Sequence, residues 1–243
     1  GIVLLEPILY SLGYLYFKKT IYNDLYSLTV RKERMYSILR DSFPLIFASA
    51  FFLIYSRIDQ VMLKNMIGAE AVGLYDSAVR ISELSYFIPQ LILVSLLPAV
   101  VNARKISLEL YYKRTKKLLL TIIGISVAVA IGTTIFAKYL LLIIFGGAFT
   151  GALPALYICA WSTIGASLNS LAQQILVIEN TTKKISIAAF LGMSTNVLLN
   201  LLLIPLYGIS GAAFATLVSY GVPFLSLFLF KHTRSMIIDV LRS

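Results

Sequence analysis

The chain has 243 residues, of which 59% are hydrophobic and 13% are charged, and its mean hydropathy is +0.87. An average soluble domain carries about 25% charged residues, so the composition excludes a soluble globular protein. One cysteine and one histidine exclude a disulfide framework and a Cys/His metal cluster. The apolar residues fall in runs of about 20 or more, the length of a membrane-spanning helix. They predict an all-α protein, a polytopic membrane helix bundle.

Seven membrane segments are predicted in chain order. The first, residues 2–17, is short and begins with neither an initiator methionine nor a charged leader, so we expect a helix cut from a longer chain. Residues 18–42 are basic and amphipathic and are expected to lie on lipid headgroups, and residues 232–243 form a tail. Six spans lie between them, at about 43–66, 78–101, 118–145, 153–178, 185–206 and 209–230. Loops are expected at 68–73, 146–151 and 207–208, and a second basic connection at 104–117.

The formal net charge of +10 indicates orientation rather than a nucleic-acid partner. Every basic residue lies in alternate loops or the tail, except Arg57, Lys64, Arg80 and Lys138. Positively charged loops stay on the cytoplasmic side of a membrane. We therefore expect a cytoplasmic C-terminus, with membrane lipids and no nucleic acid as partners.

The stretch from residue 55 to residue 83 places four charged residues within or at the edge of apolar spans: Arg57, Asp59, Arg80 and Glu83. A charge at the bilayer centre costs at least about 2.5 to 3.5 kcal/mol, so such residues must be paired or face a cavity. Arg57 and Asp59 are two positions apart, about 200° around a straight helix, and cannot both face one cavity unless the helix distorts. Arg80 and Glu83 are three positions apart and are expected to pair directly.

Several motifs of the chain resemble one family of membrane proteins. They read RIDQVML at 57–63, GAEAVGLYDSAVRI at 68–81, IFGGAF at 144–149 and YGISGAAFAT at 207–216. Together they resemble the polysaccharide transporter family, whose members flip lipid-linked oligosaccharides such as O-antigen or capsule repeat units. This family belongs to the multidrug/oligosaccharidyl-lipid/polysaccharide (MOP) exporter superfamily, and the resemblance covers about residues 41–231.

The resemblance implies a transporter of twelve helices in two lobes facing a central cavity. This chain would supply the last helix of the N-lobe at 1–17, a linker at 18–42 and the six-helix C-lobe at 43–231. The missing N-lobe of the same protein would then be a partner, and a polysaccharide polymerase complex another. The implied location is the bacterial cytoplasmic (inner) membrane.

The function that the resemblance implies is translocation of an undecaprenyl-pyrophosphate-linked oligosaccharide, as in lipopolysaccharide biosynthesis, by alternating access. No cofactor, no metal and no enzymatic step are expected. Two interpretations of the charged residues remain open. They form a structural ion-pair network near the outer ends of two spans, which Asp76 could join, or Arg57 and Arg80 line the cavity and bind the anionic group, since guanidinium binds phosphate in a bidentate way. In the second case Asp59 and Glu83 would hold the arginines in place, or couple H⁺ or Na⁺.

Polar side chains recur in the fifth and sixth spans: Asn169, Gln173, Gln174, Asn196 and Asn200. Hydrogen bonds between helices are one explanation, and contacts with sugars across the cavity are the other.

Two further functions are compatible with a polytopic membrane protein. A multidrug or toxin cation antiporter of the same superfamily would favour a cavity dominated by carboxylates, whereas the charged set here is mixed. A membrane glycan polymerase or ligase would need acid and base groups on a sizeable outer loop, and the predicted outer loops are short. We therefore expect a transporter of an anionic substrate.

Overall fold

The computed structural model describes residues 32–179 and 181–242, together with Ser11 and Tyr14. Apart from those two positions, the predicted first span and the connection up to residue 31 lie outside the described residues. The chain divides into two units, Gly1–Asp41 and Ser42–Ser243. The cavity and the charged residues discussed below all belong to the second unit.

Seven α-helices and two short 3₁₀ turns make up the described part of the chain, which contains no strand. The helices are α1 (Lys32–Tyr55), α2 (Ile58–Met66), α3 (Ala69–Ile106), α4 (Leu108–Ile144), α5 (Leu153–Ile178), α6 (Thr182–Ser226) and α7 (Lys231–Arg242), and the turns are Gly147–Ala152 and Leu227–Leu229. Five stretches are long and apolar enough to cross a membrane: Ile46–Met66, Ala69–Ile106, Leu108–Ile144, Gly147–Ile178 and Thr182–Leu229. The predicted fold class, an all-α polytopic membrane bundle, is confirmed.

The span predicted at 43–66 is interrupted between α1 and α2. The Ser56 hydroxyl donates to the Leu53 carbonyl at 3.0 Å, and the Arg57 amide donates to the Ile54 carbonyl, three residues back, at 3.1 Å. Arg57 then has φ −134° and ψ −12°, outside the helical region. The tightened turn ends one helix and starts another, so side chains on either side of it no longer follow one helical period.

Helices continue through two of the predicted connections, and the loop predicted at 68–73 is wrong for residues 69–73. Residues 69–73 of the expected loop are helical, since only Ile67 and Gly68 separate α2 from α3, with Gly68 at φ +132°. The basic connection at 104–117 belongs to α3 and α4, with Ser107 as the one non-helical residue between them. The Ser107 hydroxyl accepts the Leu110 amide at 3.2 Å and thereby caps α4. Helix α3 thus occupies the residues between Gly68 and Ser107, and the basic residues on both sides of Ser107 are helical.

The predicted C-terminal tail contains the amphipathic helix α7. Met236 and Ile237 join the buried cluster that holds Tyr111 and Leu118 of α4, and Val240 is buried as well. The apolar face of α7 therefore packs on α4 and leaves its polar face outside.

Helix α6 folds back on itself at Gly208, which has φ +57° and ψ −132°. We call residues 182–207 α6a and residues 209–226 α6b. Asn196 of α6a donates to Ser219 of α6b at 3.2 Å, which shows that the two arms run antiparallel and in contact. They approach so closely at Gly211 that a Cβ there would lie 2.3 Å from the Leu203 carbonyl oxygen.

Candidate functional site

A cavity of about 850 Å³ lies among α1, α3, α5 and α6. This is within the range of roughly 300–1,000 Å³ that is usual for ligand pockets. Along α5 its wall runs from Ala166 to Val177, about 16 Å at 1.5 Å per residue. Phe52 of α1 and Phe87 of α3 contribute apolar surface to it, and both are exposed.

Tyrosines and amides form the polar wall of the cavity. Tyr55 is buried and its ring meets that of Tyr220 edge-on, with 5.5 Å between the centroids. The Tyr55 hydroxyl accepts the Asn169 amide at 3.2 Å, and Gln173 donates to the Asn169 side-chain oxygen at 3.2 Å. Gln174 also lines the cavity. Three of the five polar residues predicted as cavity candidates therefore do line it.

Asn196 and Asn200 are placed elsewhere, inside the α6 hairpin. Both are fully buried, and neither is among the residues that line the cavity. Asn200 donates to the Asn196 side-chain oxygen at 2.9 Å, and Asn196 donates to Ser219. Their geometry matches the structural explanation, hydrogen bonds between packed helices, rather than contact with a substrate.

Arg57 and Glu83 face each other on the cavity wall. The Arg57 Nη2 atom lies 3.7 Å from the Glu83 Oε1 atom, and the two side chains are 55% and 41% exposed. The break before α2 is what directs Arg57 into the cavity, nine residues before the end of α2 at Met66. Arg57 is therefore about 14 Å along the helix from the end of α2.

Arg80 does not form the predicted pair with Glu83. Its Nε atom lies 2.6 Å from Asp76 Oδ2, one turn earlier on α3, and Gln60 donates to the other Asp76 oxygen at 2.9 Å. The Arg80 side chain is exposed and is not among the residues that line the cavity. The arginine placed best for binding a ligand is therefore Arg57.

Asp59 lies in the protein core, 3% exposed, and does not contact an arginine as predicted. Tyr75 donates its hydroxyl to Asp59 Oδ2, and Thr216 donates to the same oxygen at 3.0 Å. The Gln60 amide donates to Oδ1 at 3.2 Å. Within the described residues no basic side chain is close enough to Asp59 for a salt bridge. Tyr75 and Thr216 were missed as partners, although both belong to the motifs quoted above.

The described residues contain no group of three or more His, Cys, Asp or Glu side chains arranged to hold a metal ion. The chemistry that the site offers is therefore that of its guanidinium, carboxylate, amide and phenol groups. These groups bind and orient a ligand through charge and hydrogen bonds.

The chain is similar to several known membrane proteins. The family model described as "Polysaccharide biosynthesis protein" matches residues 4–103. A probable flippase, AglR of Haloferax volcanii, is 30% identical over 171 residues, which are 68% of this chain and 35% of that protein. An uncharacterized membrane protein of Methanocaldococcus jannaschii, MJ1375, is 26% identical over 182 residues, which are 75% of this chain and 42% of that protein. The chain thus spans less than half the length of these relatives.

The fold is shared with a solved structure of MATE in its straight conformation. That structure superposes with a TM-score of 0.64 at 22% identity, over 84% of this chain and 50% of the MATE chain. The protein is thus a multi-pass membrane protein with the fold of the MOP superfamily. Within that superfamily, the chain is similar to the polysaccharide transporter family over the residues that these comparisons align.

Proposed function

We propose that the protein is a flippase that moves an oligosaccharide linked to a polyprenyl pyrophosphate from one leaflet to the other. The observation that carries this proposal is Arg57, exposed on the cavity wall at the break between α1 and α2. Broken helices mark substrate sites in many transporters, because the positive N-terminal end of a half-helix points at an anionic group. A guanidinium adds a permanent charge and a planar fork that matches phosphate oxygens. The relative named as a probable flippase supports the same function.

The remaining parts of the cavity suit the rest of such a substrate. The amides of Asn169, Gln173 and Gln174 offer both donors and acceptors to sugar hydroxyls. The lipid tail would stay in the bilayer, beside apolar residues such as Phe52 and Phe87. Transport would proceed by rocking this lobe against the N-lobe in the cytoplasmic membrane, with the C-terminus cytoplasmic and no covalent change to the substrate.

For coupling to H⁺ or Na⁺ we propose Asp59 rather than Glu83. Asp59 is a buried carboxylate that connects α2, α3 and α6b through Tyr75 and Thr216. Adding a proton or a cation to it changes how tightly those three helices are joined, because the charge that the two hydroxyls stabilise is neutralised. Asp59→Asn should therefore fold and bind substrate, while its transport no longer responds to an imposed H⁺ or Na⁺ gradient. Transport that still follows either gradient would exclude Asp59.

Glu83 favours a second function, the multidrug or toxin cation antiporter. Its carboxylate is exposed on the cavity wall and could attract a cationic drug. We rank this function lower, because Arg57 lies beside Glu83 and offsets its charge.

The two arginines allow a matched test of the proposed function in the full-length protein. Arg57→Ala should reduce glycan export by about tenfold or more, because a charge-assisted contact with phosphate contributes on the order of 1.5 to 3 kcal/mol. Arg57→Lys should retain part of the export. Arg80→Ala is the control, since Arg80 pairs with Asp76 outside the cavity wall. Export is measured per molecule of protein in the membrane, and normal export by Arg57→Ala would remove the anion site.

A further inference from the structure

Three ion pairs are present in the described part of the chain, and the one in the cavity is the loosest. Arg80 lies 2.6 Å from Asp76, and Arg104 lies 3.1 Å from Glu179, whose side chain is only 8% exposed. Arg57 and Glu83 approach no closer than 3.7 Å, beyond hydrogen-bond distance. Ion pairs between exposed side chains contribute little to stability. The contact between Arg57 and Glu83 can therefore be opened at small cost.

The Arg57 guanidinium has unused donors in this arrangement. A guanidinium carries five N–H groups, and within the described residues none of those on Arg57 donates a hydrogen bond to another side chain or to the backbone. Glu83 nevertheless places one negative charge in front of this group, from α3, across the cavity wall. A carboxylate in this position occupies the place that an anionic ligand would take.

We propose that Glu83 is an internal competitor for the anion site of Arg57: it occupies the site when the cavity is empty, and the phosphate of the cargo displaces it. This inference rests on the proposed function and adds to it. Pyrophosphate carries more charge than the carboxylate, and it can accept two N–H groups of Arg57, whereas Glu83 at 3.7 Å accepts none. Glu83 thereby selects for a phosphate-linked cargo, because a ligand with one weakly held charge does not displace it.

Displacement also changes how two helices are connected. Arg57 precedes the first residue of α2, and Glu83 belongs to α3, so the ion pair joins the N-terminal end of α2 to the middle of α3. Once the cargo holds Arg57, this connection is absent. The loaded and empty forms of the lobe therefore differ in a contact that lies in the substrate site itself.

The sign of one substitution separates this role from a supporting role. If Glu83 holds Arg57 in position for the substrate, Glu83→Gln weakens binding of an anion. If Glu83 competes with the substrate, the same substitution strengthens it. Asp76→Asn provides the matched control, because it removes the carboxylate of an arginine pair on the same helix that does not line the cavity.

The experiment measures binding of farnesyl pyrophosphate to the purified full-length protein in lipid nanodiscs. We expect Glu83→Gln to bind it roughly two- to five-fold more tightly than the wild type, the range for loss of one exposed ion pair. Asp76→Asn should bind as the wild type does. In the double variant of Arg57→Ala and Glu83→Gln the gain should be absent. Unchanged or weaker binding by Glu83→Gln would overturn the proposal.

Two further measurements distinguish failure of this inference from failure of the proposed function. If Arg57→Ala binds farnesyl pyrophosphate as well as the wild type does, the anion site itself is wrong. If Arg57→Ala loses binding while Glu83→Gln leaves it unchanged, only the competition is wrong. Binding of tetraphenylphosphonium that Glu83→Gln abolishes would instead favour the cation antiporter and overturn both proposals.

Discussion

Arg57 and Asp59 are neighbours in sequence with opposite surroundings. The arginine is more than half exposed on the cavity wall, whereas the aspartate is 3% exposed in the core. Asp59 accepts hydrogen bonds from Tyr75 and Thr216 and from one backbone amide. A buried carboxylate is tolerated when such donors replace its lost hydration. Asp59 thus helps to hold α2 to α3 and α6b.

We predict that Asp59→Ala is much less stable than Asp59→Asn. Alanine removes the acceptor that the Tyr75 and Thr216 hydroxyls share, leaving them only each other and the Ala212 carbonyl, at a cost of about 1 to 3 kcal/mol. Asparagine keeps one oxygen acceptor and should lose less than half of that. The free energy of unfolding in detergent measures both, and Asp76→Ala serves as a partly exposed control with an expected loss below about 1 kcal/mol. Equal stability of the two Asp59 variants would contradict the assigned role.

Sequence spacing alone does not determine which acidic residue pairs with each arginine. Helical spacing separated Arg57 from Asp59 correctly but assigned Arg80 to Glu83, whereas Arg80 pairs with Asp76. Pairs three and four positions apart are equally favourable on a helix surface. Glu83 instead contacts Arg57, which lies at the N-terminal end of a different helix, and this contact depends on the tertiary structure.

At the scale of elements, the hairpin within α6 depends on two glycines. Gly208 adopts a positive φ that most residues avoid, and it reverses the chain. Gly211 then lets the two arms approach, since any larger residue would meet the Leu203 carbonyl. Small residues at such crossings let the backbones of membrane helices pack closely. The hairpin in turn positions Thr216 beside Asp59 and Tyr220 at the cavity.

We predict that Gly211→Ala disrupts this hairpin. The new Cβ would lie 2.3 Å from a backbone oxygen that cannot move freely, and overpacking of this kind costs about 1 to 3 kcal/mol or more. Gly124→Ala is the control, because nothing lies within 4 Å of a Cβ at that position of α4. The yield of folded protein and its melting temperature report the difference. A Gly211→Ala protein as stable as the control would contradict the close packing.

Helix ends were predicted less well than helix positions. Hydropathy identifies the apolar part of a span. It does not predict that α3 and α4 extend into the charged residues around Arg104 and Lys113. Basic residues are good helix formers, so a helix continues until a cap or a glycine stops it. The positions of Gly68 and Ser107 therefore determine where α3 begins and ends.

At the scale of the whole molecule, alternate loops carry the basic residues and predict the orientation in the membrane. Position 183 then lies on the cytoplasmic side, as does position 113, and position 148 lies on the opposite side. All three positions are exposed, while Cys159, the single native cysteine, is 1% exposed. The protein therefore has little background reactivity toward a thiol reagent.

We predict that an impermeant maleimide added to intact cells labels Ala148→Cys and does not label Lys113→Cys or Lys183→Cys. Permeabilising the membrane should make the two lysine positions reactive. The wild-type protein, with Cys159 alone, controls for background labelling. Labelling of the lysine positions in intact cells would reverse the proposed orientation.

The amino-acid sequence alone was enough to establish the membrane class and the all-α fold, to indicate the resemblance to one family and to mark the two stretches that contain the charged residues. These follow from composition, segment length and local motifs, which do not depend on distant contacts. The tertiary structure decided the partners: Asp59 meets Tyr75 and Thr216 from 16 and 157 residues away, and Glu83 faces Arg57 across the cavity. The physical reason is the break at Ser56 and Arg57, since helical periodicity assigns side chains to faces only along a continuous helix.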